Sequence, residues 1–286
     1  MFDRISRSWA LAGACWDVLM EDPALLIFPL LSGLAMVLLM ASFALPVWFV
    51  YHGLQSAPAD GSTTHTLRFS SYVVTYVFYV ISYSVVMFFN TALIAVALRR
   101  LDGEPASVTD GLQAALSNLP AILGYALIAA TVGTILRAIE QRVGLIGRIV
   151  TSLIGAAWTL ATAMTLPVLI VEDVGPVEAI SRSLDLLRRN WGENVIGNVG
   201  ISIGIAVIGV PVCVLGVLFL MSAISSKAPG MIVLAAIVLF VMIIGLSIVS
   251  TTLHSIYTAA LYRYATGSKD NGAIGPELLA DAFRAK

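Results

Sequence analysis

The stretch ISRSLDLLRRNW, Ile180–Trp191, mixes charged and apolar residues in a chain that otherwise carries few charges. With Val177 just before it, its apolar positions are 177, 180, 184, 187 and 191. That 3-4-3-4 spacing draws one apolar stripe along a helix. Pro176 suits the first turn of such a helix, where its missing N–H removes no hydrogen bond. The motif has an echo near the start of the chain, ISRSWALAGACW, Ile5–Trp16, with the stripe at 5, 9, 12, 16 and 19. The two align without a gap. A fainter third copy, SVTDGLQAALSNL, Ser107–Leu119, keeps the stripe at Val108, Leu112, Ala115 and Leu119.

Each copy is followed by a pair of long apolar segments. Six segments lack Asp, Glu, Lys and Arg, at about 24–50, 70–98, 119–136, 149–171, 195–221 and 230–262. About 20 apolar residues suffice to cross a hydrocarbon core roughly 30 Å thick. A chain in lipid must satisfy its backbone internally, so these segments are read as helices. The expected fold is therefore all-α: a polytopic membrane protein with six transmembrane helices. They form three repeats of an amphipathic interfacial helix (about 4–20, 107–117 and 176–191) plus a transmembrane hairpin. Such units repeat because none buries its surfaces alone. Residues 1–266 make a single six-span membrane domain, and 267–286 a polar cytoplasmic tail.

Composition agrees. Of 286 residues, 59% are hydrophobic and 12% charged, and the mean hydropathy is +0.93. Soluble domains carry about 25% charged residues, so the solvent of this chain is largely lipid. A net charge of −1 gives no reason to expect a nucleic-acid partner. Cys15 and Cys213 are too few for a disulfide framework or a zinc site and are read as small packing residues. Interrupted by Asp3, Asp17, Glu21 and Asp22 and followed by an apolar run too long for an h-region, the N-terminus is not expected to be a cleavable signal peptide. With both termini cytoplasmic, eleven basic residues fall on inner segments and five on outer ones. That asymmetry orients the chain in a cell membrane.

The interfacial helices would lie in the headgroup plane, anchored by Trp9, Trp16 and Trp191 and by Arg182, Arg188 and Arg189. Within the spans, the end of the sixth is the most polar. Ser247, Thr251, His254 and Thr258 share a face by 4-3-4 spacing, with Ser250 and Tyr257 beside it. Such groups are either interhelical hydrogen-bond glue or a functional patch. Asn90 and Asn198 are isolated amides expected to face other helices. Gly197, Gly200 and Gly204 offer a small face for close packing. At the outer end of span three, Arg137 and Glu140 are placed to pair at i,i+3, as a snorkelling pair or a charged pore mouth. Glu172 and Asp173 are read as setting the start of the third interfacial helix through its dipole.

Catalytic and cofactor signatures are missing: no HExxH, no P-loop, no G-x-S-x-G and no paired carboxylates in a span. No enzyme activity, cofactor or metal is expected. The strings FFNTALIAVALRRLDGE, TVGTILRAIEQR, EDVGPVEAISRSLDLLRRNWGEN and LYRYATG resemble an uncharacterised family of six-span prokaryotic integral membrane proteins. The helix-plus-hairpin unit is distantly similar to the membrane domain of some glycerophosphodiester phosphodiesterases. The first resemblance implies the fold and assigns no reaction or site residue. No soluble phosphodiesterase domain accompanies the second.

The leading expectation is transport or permeation of a small solute or ion, its identity open. The spans carry no charged coupling residue, which argues against a proton-driven pump. The competing expectation is a membrane-organising scaffold whose cytoplasmic amphipathic helices bind lipid or a partner. The bilayer itself is the first partner, and assembly into a homo-oligomer is compatible with either.

Overall fold

The computed structural model describes residues 13–56, 61–189, 191–226 and 228–267. The expected interfacial start of the chain, with Trp9, and the tail beyond Gly267 therefore lie outside the described residues. No strand occurs among them. In chain order the helices are α1 (13–21), α2 (Ile27–Ser56), α3 (Gly61–Leu101), α4 (Val108–Ser117) and α5 (Leu119–Glu140). They continue with α6 (Leu145–Ala161), α7 (Thr165–Val171), α8 (Pro176–Arg189), α9 (Trp191–Ser225) and α10 (Pro229–Thr266).

Among the described residues, six helical segments are long and apolar enough to cross a membrane: Pro23–Gly53, Phe69–Leu101, Leu119–Glu140, Leu145–Val171, Gly204–Ser225 and Pro229–Thr266. Several helices run beyond the apolar stretches that defined them in the sequence. α3 and α10 end on Arg99, Arg100 and Arg263, where basic side chains suit the helix C-terminus. The outward faces are apolar. On α10, Phe240 is 64% exposed, with Leu234, Ile237 and Val241 similarly open. A surface of that kind tolerates lipid and not water.

The chain groups into two compact units. The first comprises Met1–Pro29, Leu93–Val108 and Leu186–Lys286. Here α9 packs along α10, and a 3₁₀ turn, Pro23–Leu26, seats against α10. Asp22 caps that turn by accepting from the Ala24 N–H at 3.2 Å. Leu25, Phe28, Leu93, Leu101, Tyr257 and Leu261 are among its buried side chains. The α9–α10 approach is close because glycines remove side chains: a Cβ at Gly209 would stand 2.6 Å from Leu246, and one at Gly216 2.7 Å from Leu239. These packing glycines lie further along the span than Gly197, Gly200 and Gly204.

The second unit comprises Leu30–Ala92 and Thr109–Asp185. α5 packs on α6 and α7, burying Ile122, Tyr125, Ala126, Ala129, Ala130 and Val168. The span expected at about 149–171 is matched by Leu145–Val171, which carries a turn at 162–164 between α6 and α7. Pro167 is the reason: it has no N–H to offer the Ala163 carbonyl one turn back, and its ring crowds that carbonyl.

The amphipathic helices also differ from a simple floating stripe. In α8 the fully buried positions include Ala179 and Ser183, while Val177 is 70% exposed and Ile180 and Leu184 are half-buried. The expected stripe is thus open at Val177, half-buried at Ile180 and Leu184 and buried at Leu187. In α1, Cys15, Val18 and Leu19 are buried while Trp16 and Met20 stay exposed. α4 buries Gly111 and Ala115.

Candidate functional site

Between α9 and α10 lies an open groove of about 390 Å³. Its walls include Ile205, Val210, Val214 and Leu246, and its polar contributions come from Ser250, His254 and Cys213. The antiparallel run of the two helices places His254 and Ser250 toward the Ile205 end. Gly209 also lines the groove, and its missing side chain lets Leu246 pack against α9 there.

Only part of the expected polar patch meets in this groove. His254 and Ser250 line it. The Thr251 hydroxyl donates to the Ser247 carbonyl at 2.9 Å, and that of Thr258 to the His254 carbonyl at 2.8 Å. Both are thereby satisfied by their own helix, as hydroxyls in spans commonly are. Ser247 itself is exposed. Tyr257 was placed beside the patch, yet it is buried at 1% exposure and is not in the lining. Asn90 is half-buried on α3. The side chain of Asn198 on α9 lies outside those described, as do those of Arg189 and Trp191.

The Arg137–Glu140 pairing is replaced by another arrangement. Arg137 stands over the ring of Tyr79, 5.7 Å from its centroid, while Glu140 is exposed. The neighbouring Tyr76 hydroxyl shares a 2.8 Å hydrogen bond with Thr131. A Cβ at Gly133 would meet the Tyr79 hydroxyl at 2.9 Å. Tyrosines of α3 thus dock on α5, and the guanidinium gains a cation–π partner in place of a carboxylate.

Two ion-pair clusters were not anticipated. In the first unit, Arg100 Nε donates to Asp22 at 2.8 Å and Arg100 Nη2 to the Ala106 carbonyl at 2.9 Å. Arg263 Nη2 pairs with Asp102 at 2.7 Å, and its Nη1 donates to the Leu101 carbonyl. The start of α2, the end of α3 and the end of α10 are thereby held at one level. In the second unit, Arg182 Nε is 3.2 Å from both oxygens of Glu172. Glu172 is the C-cap residue of α7, and its carboxylate holds Arg182 of α8. No helical spacing pointed to these pairs, because the members of each lie on different elements.

Ser183 makes the most specific contact in the second unit. Across the break, the Ala163 N–H turns to the Leu160 carbonyl and the Thr165 N–H to the Thr162 carbonyl. That leaves the Ala161 carbonyl and the Met164 N–H without their usual helical partners. Ser183 Oγ donates to the former at 2.7 Å and accepts from the latter at 3.1 Å. The second serine of the ISRS motif therefore closes the gap in a span. Pro176 supports this docking from the other end: a Cβ at Gly124 would come within 2.8 Å of its ring.

Among the described residues no three His, Cys, Asp or Glu side chains gather as a metal-binding set. These features define an all-helical, multi-pass membrane protein. Residues 69–272, more than half of the chain, match the family of unknown function DUF6159, and the chain belongs to that family. No curated protein matches it.

Proposed function

We propose that the chain is a non-enzymatic, multi-pass protein of the cytoplasmic membrane whose α9–α10 groove takes up a small amphiphile and passes it along. The groove lining carries this reading: apolar walls with Ser250 and His254 toward one end. A hydrated ion entering such a lining would lose water and gain few partners, at a high free-energy cost. A molecule with an apolar body and one hydrogen-bonding end loses little. Small-solute permeation, the reading the sequence favoured, thus narrows to an amphiphilic solute.

The same proposal includes the topology. Both termini face the cytoplasm, supported by the distribution of basic residues. Element order supports three repeated units: α1 before α2 and α3, α4 before α5 and α6–α7, and α8 before α9 and α10. Together they form one six-span domain.

The test is transfer in liposomes. Reconstituted protein should speed exchange of a fluorescent medium-chain fatty acid between vesicles without conducting potassium, and His254→Ala should slow that exchange several-fold. Potassium flux without fatty-acid exchange would sink the reading.

A second reading, a scaffold that binds lipid through its amphipathic helices, is favoured by one observation. α1 and α8 each expose apolar side chains, Trp16 and Met20 in one and Val177 in the other, beside a face buried in protein. Flotation with anionic vesicles that is unaffected by charge reversal at Arg182, Arg188 and Arg189 would argue against it.

A further inference from the structure

The turn between α5 and α6 carries charge that the fold leaves unmatched. In RAIEQRVGLIGR, Arg137 to Arg148, three arginines stand against one acid, Glu140, and all four residues are exposed. Among the described residues, none of these three guanidiniums pairs with a carboxylate. Arg137 is nonetheless held in place. It stands over the Tyr79 ring, a contact that uses the guanidinium face and leaves its fork of N–H donors open.

Depth follows from helix length. α5 has 22 residues, about 33 Å at 1.5 Å per residue, close to the roughly 30 Å of a hydrocarbon core. Its turn into α6 therefore emerges at the level of the headgroups, on the face opposite α4. Arg142 lies in the turn itself. Arg137 stands three residues before the end of α5 and Arg148 three after the start of α6, each about 5 Å along a helix axis. Apolar side chains open to the surroundings flank them: Leu145 is 80% exposed, Ile146 81% and Ile149 62%.

We infer that the α5–α6 turn binds an anionic phospholipid, its phosphate held by Arg137, Arg142 and Arg148 and an acyl chain lying along Leu145, Ile146 and Ile149. The fork of a guanidinium fits two phosphate oxygens at once, and basic clusters at a membrane surface draw anionic headgroups. Phosphatidylcholine offers the same phosphate beside its own ammonium, which offsets the attraction. A free phosphate offers nothing to the apolar neighbours. This inference rests on the α5–α6 hairpin crossing the bilayer and is independent of the α9–α10 groove.

The experiment is native mass spectrometry of the full-length protein, released from vesicles of equal phosphatidylcholine and phosphatidylglycerol. The wild type should retain phosphatidylglycerol in clear excess. Arg142→Gln with Arg148→Gln, which leaves the Arg137–Tyr79 contact intact, should lower that excess several-fold, and adding Arg137→Gln should lower it further. Arg99→Gln removes an exposed cation at the end of α3 and should keep the excess. A large addition of inorganic phosphate should displace none of the bound lipid. Equal retention of the two lipids by the wild type overturns the inference, as does a wild-type excess in the double variant. So does an equal loss in Arg99→Gln, which would make the effect one of net charge, or displacement by inorganic phosphate, which would make the site one for a soluble anion. Failure of fatty-acid transfer through the groove would leave these outcomes untouched.

Discussion

The guanidinium of Arg263, near the end of α10, and the carboxylate of Asp102, just past α3, stand 2.7 Å apart, with the arginine the more buried partner at 12% exposure against 43%. That asymmetry decides which substitution does damage. Asp102→Ala leaves a sheltered cation with only a carbonyl partner, and loss of such a charged hydrogen bond costs about 2 kcal/mol. The expected outcome is a clearly lowered unfolding temperature in detergent, with Asp102→Glu retaining most of the stability.

Arg100 and Asp22 offer a graded comparison. Arg100 is 37% exposed, so solvent and salt weaken the pair. Asp22→Asn should cost less than Asp102→Ala, on the order of 1 kcal/mol, and its effect should shrink as salt rises. The amide still caps Ala24, which isolates the charge from the turn. A thermal-shift series at low and high salt checks this.

Helix type and the positions of the apolar segments were legible in the sequence because each is a local property. Charge-free runs identified the spans, and the ISRS motif marked α8 as amphipathic. What could not be read is relational. Nothing near Ser183 says that its hydroxyl closes a gap around Met164, although Pro167 was a visible signal for the gap itself. Arg137 and Glu140 have the spacing of a pair, but the ring of Tyr79, distant in sequence, supplies the actual contact. Of the polar residues read at the end of the sixth span, His254 and Ser250 line the groove. That only these two of the patch line the groove depends on how α9 faces α10.

Gly209 tests the hairpin. A Cβ there meets only the tip of Leu246, a flexible group, so Gly209→Ala should be mild. Gly209→Val adds bulk that Leu246 cannot clear by rotation, and overpacking costs about 1–3 kcal/mol. Leu246→Ala introduced with Gly209→Val should recover part of the loss. Thermal unfolding of the four proteins gives the coupling, which is expected to be clearly non-zero for residues in contact.

Cys15 is 1% exposed on α1, and burial pushes its thiol up to about 12 from 9.0. Thiolate is the reactive species, so N-ethylmaleimide at pH 8 should leave Cys15 unmodified until the protein is denatured in SDS. The sign for stability follows. An unfolded chain releases this proton above about pH 9 while the folded one holds it, so stability falls between pH 9 and 12. Cys15→Ala should remove that part of the alkaline slope, seen by comparing unfolding temperatures across this range.

The ion pair from Arg263 to Asp102 also fixes a topological expectation. α10 has 38 residues, about 57 Å of helix at 1.5 Å per residue, more than a bilayer core requires. Its end is held beside Asp102, and its start at Pro229 follows the turn at Ser226. Glu104 and Ser226, both exposed, should therefore face opposite sides of the membrane. In a Cys213→Ala background, a membrane-impermeant maleimide applied to intact cells should label Ser226→Cys and spare Glu104→Cys. Inverted vesicles should reverse the pattern. Labelling of both from one side would mean that α10 does not cross, and the six-span reading would then lose its last helix.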